Sequence, residues 1–162
     1  MNNQWEKWLD EHGSALTLFA RQFVDSHADA EEAVQDGFIR FWKIRDSAID
    51  PIALLHSCVK RAAMDVTRGD NRRLRREQAV AMGLKNESMF VCPVEHSERE
   101  EQVEHALQTL PKEQREVLVM KIWGQATFGQ IAAALELSPN TAASRYRYAI
   151  EALRKQLTEI QS

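Results

Sequence analysis

The residues best equipped for chemistry in this chain lie near its end, in the run Asn140-Thr141-Ala142-Ala143-Ser144-Arg145 with Arg147 close behind. On a helix, Asn140, Thr141, Ser144, Arg145 and Arg147 present amide, hydroxyl and guanidinium groups outward from one end. In a DNA major groove, Arg pairs bidentately with guanine, Asn pairs with adenine, and Ser or Thr holds phosphates. An ordinary helical hairpin with a solvated basic face would carry the same groups, so both readings stay open for this run alone.

A second group of chemically able residues is acidic. Asp25, Asp29, Glu31, Glu32 and Asp36 fall in one short stretch with no Lys or Arg among them. Neighbouring carboxylates suit acid–base catalysis or metal binding, yet no histidine or second carboxylate cluster completes such a site. The stretch is then either a solvated face or a docking surface for a basic partner. A third group is basic: Lys60, Arg61, Arg68, Arg72, Arg73, Arg75 and Arg76, interrupted only by Asp65 and Asp70. Cations at that density track a phosphate backbone and release counterions, although a solvated helix end would look similar.

Other chemistries are poorly served. His12, His27, His56, His96 and His105 have no ligand spacing. Cys58 and Cys92 form no CxxC pair and read as reduced thiols with no chemical role. There is no phosphate-cradling glycine loop and no Cys–His nucleophile arrangement, so an enzyme, a metal site or a cofactor is not expected. No apolar run approaches the roughly 20 residues that span a bilayer, and Met1–Asp10 carries no signal-peptide pattern, which predicts a cytoplasmic protein. The net charge of −3 conceals the alternation of acidic and basic blocks. That alternation suits one acidic contact to a protein and two basic contacts to nucleic acid.

The elements that must position these groups are helices. At 162 residues and 44% hydrophobic content the chain is expected to fold, as one domain or two small ones. Asn3 to about Val24 is the first helix, with Gly13-Ser14 as a potential break. Ala30, Ala33, Val34, Gly37, Phe38, Phe41 and Trp42 form one stripe of a second, which sends Asp29, Glu32, Gln35 and Asp36 outward. Arg45 to Asp50 reads as a loop, and Asp50-Pro51 opens a third helix that runs into the basic block near Gly69. From about Gln78 to Ser97 little periodicity survives, which indicates a linker. Helical spacing returns from Glu98 to Leu110, and again from Pro111 to the Trp123-Gly124 stop.

Thr127–Leu135 and Ser138 or Pro139 to about Ile160 complete the series. With Ala132 and Ala133 allowing close approach and Leu135–Ser138 as a tight connection, the last pair reads as a helix-turn-helix. No strand and no internal repeat is expected. The predicted architecture is all-α, with two small helical domains at 1–78 and 99–162 joined by a linker at 79–98.

Three segments in order resemble a known family. Asp29-Ala30-Glu31-Glu32-Ala33-Val34-Gln35-Asp36-Gly37-Phe38-Ile39-Arg40-Phe41-Trp42 resembles the core-binding helix of sigma region 2, D-A-E-D-L-V-Q-E-x-F-L-R-L-W. Leu110-Pro111-Lys112-Glu113-Gln114-Arg115-Glu116-Val117-Leu118 resembles the opening of region 4, and Ile131 to Arg145 resembles that region's helix-turn-helix. The chain is similar to extracytoplasmic-function (ECF) sigma factors: regions 1.1 and a full region 3 are expected to be absent, since only about twenty residues separate the two units.

The resemblance implies roles. Glu32, Gln35 and Asp36 match contacts to core RNA polymerase. Arg45, Asp46, Ser47 and Ala48, in the loop that ends at Ile49, match the segment that holds a base flipped from the minus-10 element. Lys60, Arg61, Asp65 and Arg68 match the adjoining recognition helix. Asn140, Thr141, Ser144, Arg145, Arg147 and Tyr148 match the helix that reads the minus-35 element of promoter DNA. An anti-sigma factor is the further expected partner, and no small-molecule substrate is expected. Two positions depart from the family pattern: Ala143, where a basic residue is common, and Arg61, where asparagine is frequent. A helix-turn-helix regulator acting without polymerase, or a polymerase-binding adaptor, are the competing functions; the first leaves Glu32, Gln35 and Asp36 unexplained.

Overall fold

The computed structural model describes residues 3–68 and 98–161. These residues are helical with no strand, and they fall into two compact units, one within Met1–Cys92 and one within Pro93–Ser162. The expected linker at 79–98 lies outside the described residues except for Glu98, as do Arg72, Arg73, Arg75, Arg76 and Cys92.

The first unit is a bundle of three helices, α1 (Asn3–Ala20), α2 (His27–Ile44) and α3 (Pro51–Thr67). Gly13 and Ser14 do not break α1: Gly13 is buried in the helix, and its carbonyl accepts the Thr17 hydroxyl at 2.8 Å. The helix stops at Ala20 and not at Val24. Gln22 and Phe23 donate to the carbonyls of Phe19 and Ala20, three residues back, and this tightened turn folds Phe23 and Val24 into the core.

Ser26 caps α2, its hydroxyl accepting from the Asp29 N–H at 3.1 Å. Asp29 therefore belongs to the first turn and is buried, where the helix dipole favours its charge. This corrects the expectation that it faces outward with Glu32, Gln35 and Asp36. The apolar stripe of α2 packs as the period predicts, with Ala30, Ala33, Val34 and Phe41 wholly buried and Trp42 at the margin.

Gly37 sits where α2 crosses α3. A β-carbon there would stand 2.6 Å from the Val59 Cα and 2.8 Å from its nitrogen, so the two backbones approach too closely for any side chain. Asp50 caps α3 through the Ala53 N–H, and Pro51 takes the first turn, as its missing donor allows. At its other end the Thr67 hydroxyl lies 2.9 Å from the Ala63 carbonyl of the same helix and 3.1 Å from the Phe23 carbonyl, on the turn between α1 and α2.

The second unit holds α4 (Glu98–Gln108), α5 (Lys112–Ile122), α6 (Phe128–Leu135) and α7 (Pro139–Gln161). Its core is Leu107, Leu110, Val117–Met120, Ile131, Leu135, Ala142 and Ala149. Thr127 and Gln130 make a reciprocal capping box at the start of α6.

The connection to α7 is tight because Glu136 adopts a left-handed conformation, φ 58° and ψ 49°, and the Leu137 N–H reaches the Ala132 carbonyl at 2.9 Å. That is a Schellman ending with glutamate where glycine is usual. Of the two alanines expected to admit a close neighbour, Ala132 is buried and Ala133 is exposed. The Ser138 hydroxyl then accepts from the Thr141 N–H at 3.1 Å as Pro139 begins α7.

Candidate docking and nucleic-acid surfaces

In the second unit, Asn140, Thr141, Ser144, Arg145 and Tyr148 follow a one-face spacing along the start of α7, with Arg147 beside them. Asn140, Arg147 and Tyr148 are exposed, while Thr141, Ser144 and Arg145 are half-buried. The opposite face inserts Ala142 and Ala149 into the core, and Tyr146 meets Phe128 edge-on with ring centres 5.7 Å apart. The Arg147 guanidinium lies 5.6 Å from the Tyr148 ring centre, so an aromatic and a cation are offered together. The cap at Ser138 and the turn at Glu136 fix how α7 leaves α6, and the alanines fix which side faces solvent.

In the first unit, Glu32, Gln35 and Asp36 share one side of α2 and are half-buried. Behind them the His27 Nε2 stands 2.9 Å from Glu31. Lys60 is half-buried on α3, Arg61 and Arg68 are exposed, and Asp65 falls between these arginines at the spacing of a single helix face. The expected loop after α2 begins as a single 3-10 turn, Arg45–Ser47, followed by Ala48, Ile49 and Asp50. Asp46 and Ser47 are exposed, Ala48 is half-buried, and Ile49 stands wholly in solvent at 104%.

Two contacts escaped the reading of the sequence. The Arg45 guanidinium lies 3.7 Å from the Trp42 ring centre and donates to the Trp42 carbonyl, while Trp42 stacks on Phe38 at 5.7 Å. Arg40 uses its Nη2 to donate to Asp36 on its own helix and to Asp65 on α3, each at 2.9 Å. The first of these pairs was visible as an i,i+4 spacing on a helix; the second joins positions 25 apart, and only folding brings them together.

Among the described residues, no group of His, Cys, Asp or Glu is arranged to hold a metal ion, and no helix is long and apolar enough to cross a membrane. The buried His56 serves the core: its Nδ1 bonds the Ile52 carbonyl at 2.9 Å and its ring meets Phe19 edge-on. Burial pushes its pKa down to about 4 against the opposing pull of that hydrogen bond, with His12 adding to the depression.

Comparison with known families places the chain. The model for Sigma-70 region 2 matches residues 8–77, and that for Sigma-70 region 4 matches residues 100–153. The chain belongs to the sigma-70 family, in its ECF branch. The RNA polymerase sigma-E factor of Streptomyces avermitilis is 28% identical over 155 residues, covering 95% of this chain and 85% of the relative.

The ECF RNA polymerase sigma factor SigL of Mycobacterium tuberculosis is 28% identical over 157 residues, 93% of this chain and 87% of SigL. Among solved structures, CnrH in complex with the cytosolic domain of CnrY superposes with a TM-score of 0.61 at 26% identity, over 96% of this chain and 88% of CnrH. The ECF sigma factor described here thus has its region 2 in the α1–α3 unit and its region 4 in the α4–α7 unit.

Proposed function

We propose that this sigma factor docks on core RNA polymerase through Glu32, Gln35 and Asp36, holds a flipped minus-10 base at Arg45–Ala48 beside Lys60, Arg61, Asp65 and Arg68, and reads the minus-35 element with the start of α7. The observation that carries the reading is the α7 face. Asn140, Arg147 and Tyr148 are exposed together in the N-terminal half of a helix whose departure from α6 is fixed by a left-handed turn and the Ser138 cap. Such an end enters a major groove, where its side chains meet base edges and its first N–H groups meet phosphate.

The half-buried acids of α2 complement a basic partner surface and favour rapid, salt-sensitive association. Extruding a base nucleates strand separation, and stacking against an aromatic or guanidinium plane offsets part of the unstacking. This chain would act in the cytoplasm as an initiation factor and not as an enzyme. An anti-sigma factor would regulate it by covering the same surfaces; that CnrH is seen in complex with the cytosolic domain of CnrY supports a protein partner.

Run-off transcription from a pool of random promoters tests the whole reading. Core polymerase with the protein is expected to yield start sites sharing spaced minus-35 and minus-10 elements, and the Glu32→Ala, Gln35→Ala, Asp36→Ala triple variant is expected to yield none. Polymerase retained on a column without specific starts would point to an adaptor, and binding to neither polymerase nor promoter would overturn the function.

A further inference from the structure

One exposed apolar side chain stands among the polar groups of α3 and has no part in the contacts proposed above. Ser57, Arg61, Met64 and Arg68 recur at i, i+4, i+7 and i+11, which is one ridge of a helix. Met64 is 42% exposed in that ridge, with the exposed Arg61 and Arg68 one turn to either side. The positions flanking the ridge lean away from it. Lys60 Nζ lies 5.7 Å from the centre of the Phe23 ring, toward the turn between α1 and α2, while Asp65 Oδ2 meets Arg40 of α2 at 2.9 Å. Ala62, Ala63 and Val66 are buried in the core. Met64 is therefore the crest of the helix, an apolar side chain set between two guanidiniums.

That setting selects its occupant. Arg61 and Arg68, roughly 10 Å apart along the axis, complement a phosphate backbone, and an apolar protein surface laid over Met64 would have to desolvate both. A thioether chain has no donor and only a weak acceptor, so between phosphate contacts it recognises an apolar group. A duplex offers one at its base edges, the C5 methyl of thymine, in the major groove. The minor groove, about 6 Å wide, does not admit a helix about 10 Å across.

We propose that Met64 reads thymine: it packs on the C5 methyl of one thymine in the minus-10 duplex while Arg61 and Arg68 hold phosphates on either side. This rests on the minus-10 role proposed above for α3. The base held at Arg45–Ala48 is a different one, since Met64 lies roughly 20 Å along α3 from the end that adjoins that loop.

The test uses the full chain in holoenzyme on promoters recovered from the random pool, kept as closed duplex at low temperature. Each thymine of the minus-10 element is replaced in turn by uracil, which removes the methyl group and leaves the pairing intact. At one position the replacement is expected to weaken wild-type binding about fourfold, the worth of one buried methyl group. Met64→Ala is expected to bind the thymine promoter about fourfold more weakly than wild type and to lose the uracil penalty at that position. Its slope of log affinity against log salt should match wild type, because no phosphate contact is removed. Met64→Leu keeps an apolar side chain and should keep the penalty.

A folded Met64→Ala protein that retains the full uracil penalty would overturn the proposal, as would a minus-10 element recovered without thymine. Should Met64→Ala lose helix content, Met64→Gln, of similar length with a polar end, takes its place under the same expectation for uracil. Weaker retention of Met64→Ala on core, with promoter affinity unchanged at matched core occupancy, would give the crest to a protein partner and overturn the proposal. Specific starts with no dependence on any thymine methyl would remove this inference and leave the sigma reading intact. Absence of specific starts by the wild type would overturn both.

Discussion

In the first unit several candidate contacts are already paired, with Asp36 and Asp65 both on Arg40 and Arg45 laid over Trp42, whereas the second unit sets Asn140, Arg147 and Tyr148 in the open along one helix. Their frameworks differ in the same sense. Aromatic rings and a backbone crossing at Gly37 hold α1–α3, while caps and a strained turn orient α6 and α7 over a smaller, mostly aliphatic core. The surface proposed for docking and minus-10 contact is thus carried on a tightly interlocked bundle. The surface proposed to read a groove needs only a correctly aimed helix.

The sharpest way to break this contrast is to separate α2 from α3. Gly37→Ala places a methyl group against the Val59 backbone, which cannot yield as a side chain would, and is expected to cost about 3 kcal/mol. Hydrogen exchange should show lost protection in α2 and α3 while peptides from α5–α7 keep theirs. Equal loss in both units would show that they do not fold as separate structures.

Acid should act on the same side of the comparison. His56 is held neutral in the folded core with its pKa down at about 4, while the unfolded chain takes up the proton near the ordinary 6.5. Stability of the first unit is therefore full above about pH 6.5, falls as pH drops toward 4, and is level below that, a loss on the order of 3 kcal/mol. Urea midpoints across this range check the slope. A His56→Leu variant should flatten it, because no titrating ring remains, and an unchanged slope in that variant would assign the effect to other groups.

Smaller effects belong to the second unit. Thr127→Ala removes the hydroxyl that accepts the Gln130 N–H and is expected to cost about 1 kcal/mol, read as a lower melting temperature of α6 and α7. Glu136→Gly relieves a left-handed residue and should stabilise the unit by about 0.5–1 kcal/mol, with minus-35 affinity unchanged. Weaker DNA binding in that variant would mean that the glutamate stiffens the turn for recognition.

The helices were legible where periodicity and caps speak locally. The α2 stripe from Ala30 to Trp42, the Asp50-Pro51 opening of α3, the Thr127 start and the Ser138-Pro139 start all appear in the fold. The α7 face was legible for the same reason, since helix phase alone puts Ala142 inward and Asn140 outward. What escaped depends on distant neighbours. Gly37 looked like one more member of an apolar stripe, Asp29 like one more surface acid, and Arg40 drew no role at all, because the crossing at Val59 and the carboxylate of Asp65 belong to another helix. The left-handed turn at Glu136 was hidden for a different reason: no glycine or asparagine marks it.

The stack of Arg45 on Trp42 gives this protein its own optical probe. An indole with a cation fixed 3.7 Å from its ring centre senses a field that changes when the cation leaves, so the emission of Trp42 registers where Arg45 is. Replacing Trp5, Trp8 and Trp123 by phenylalanine would leave a single emitter beside the loop that ends at Ile49. The arrival of single-stranded DNA at that loop could then be timed by stopped flow with no dye attached.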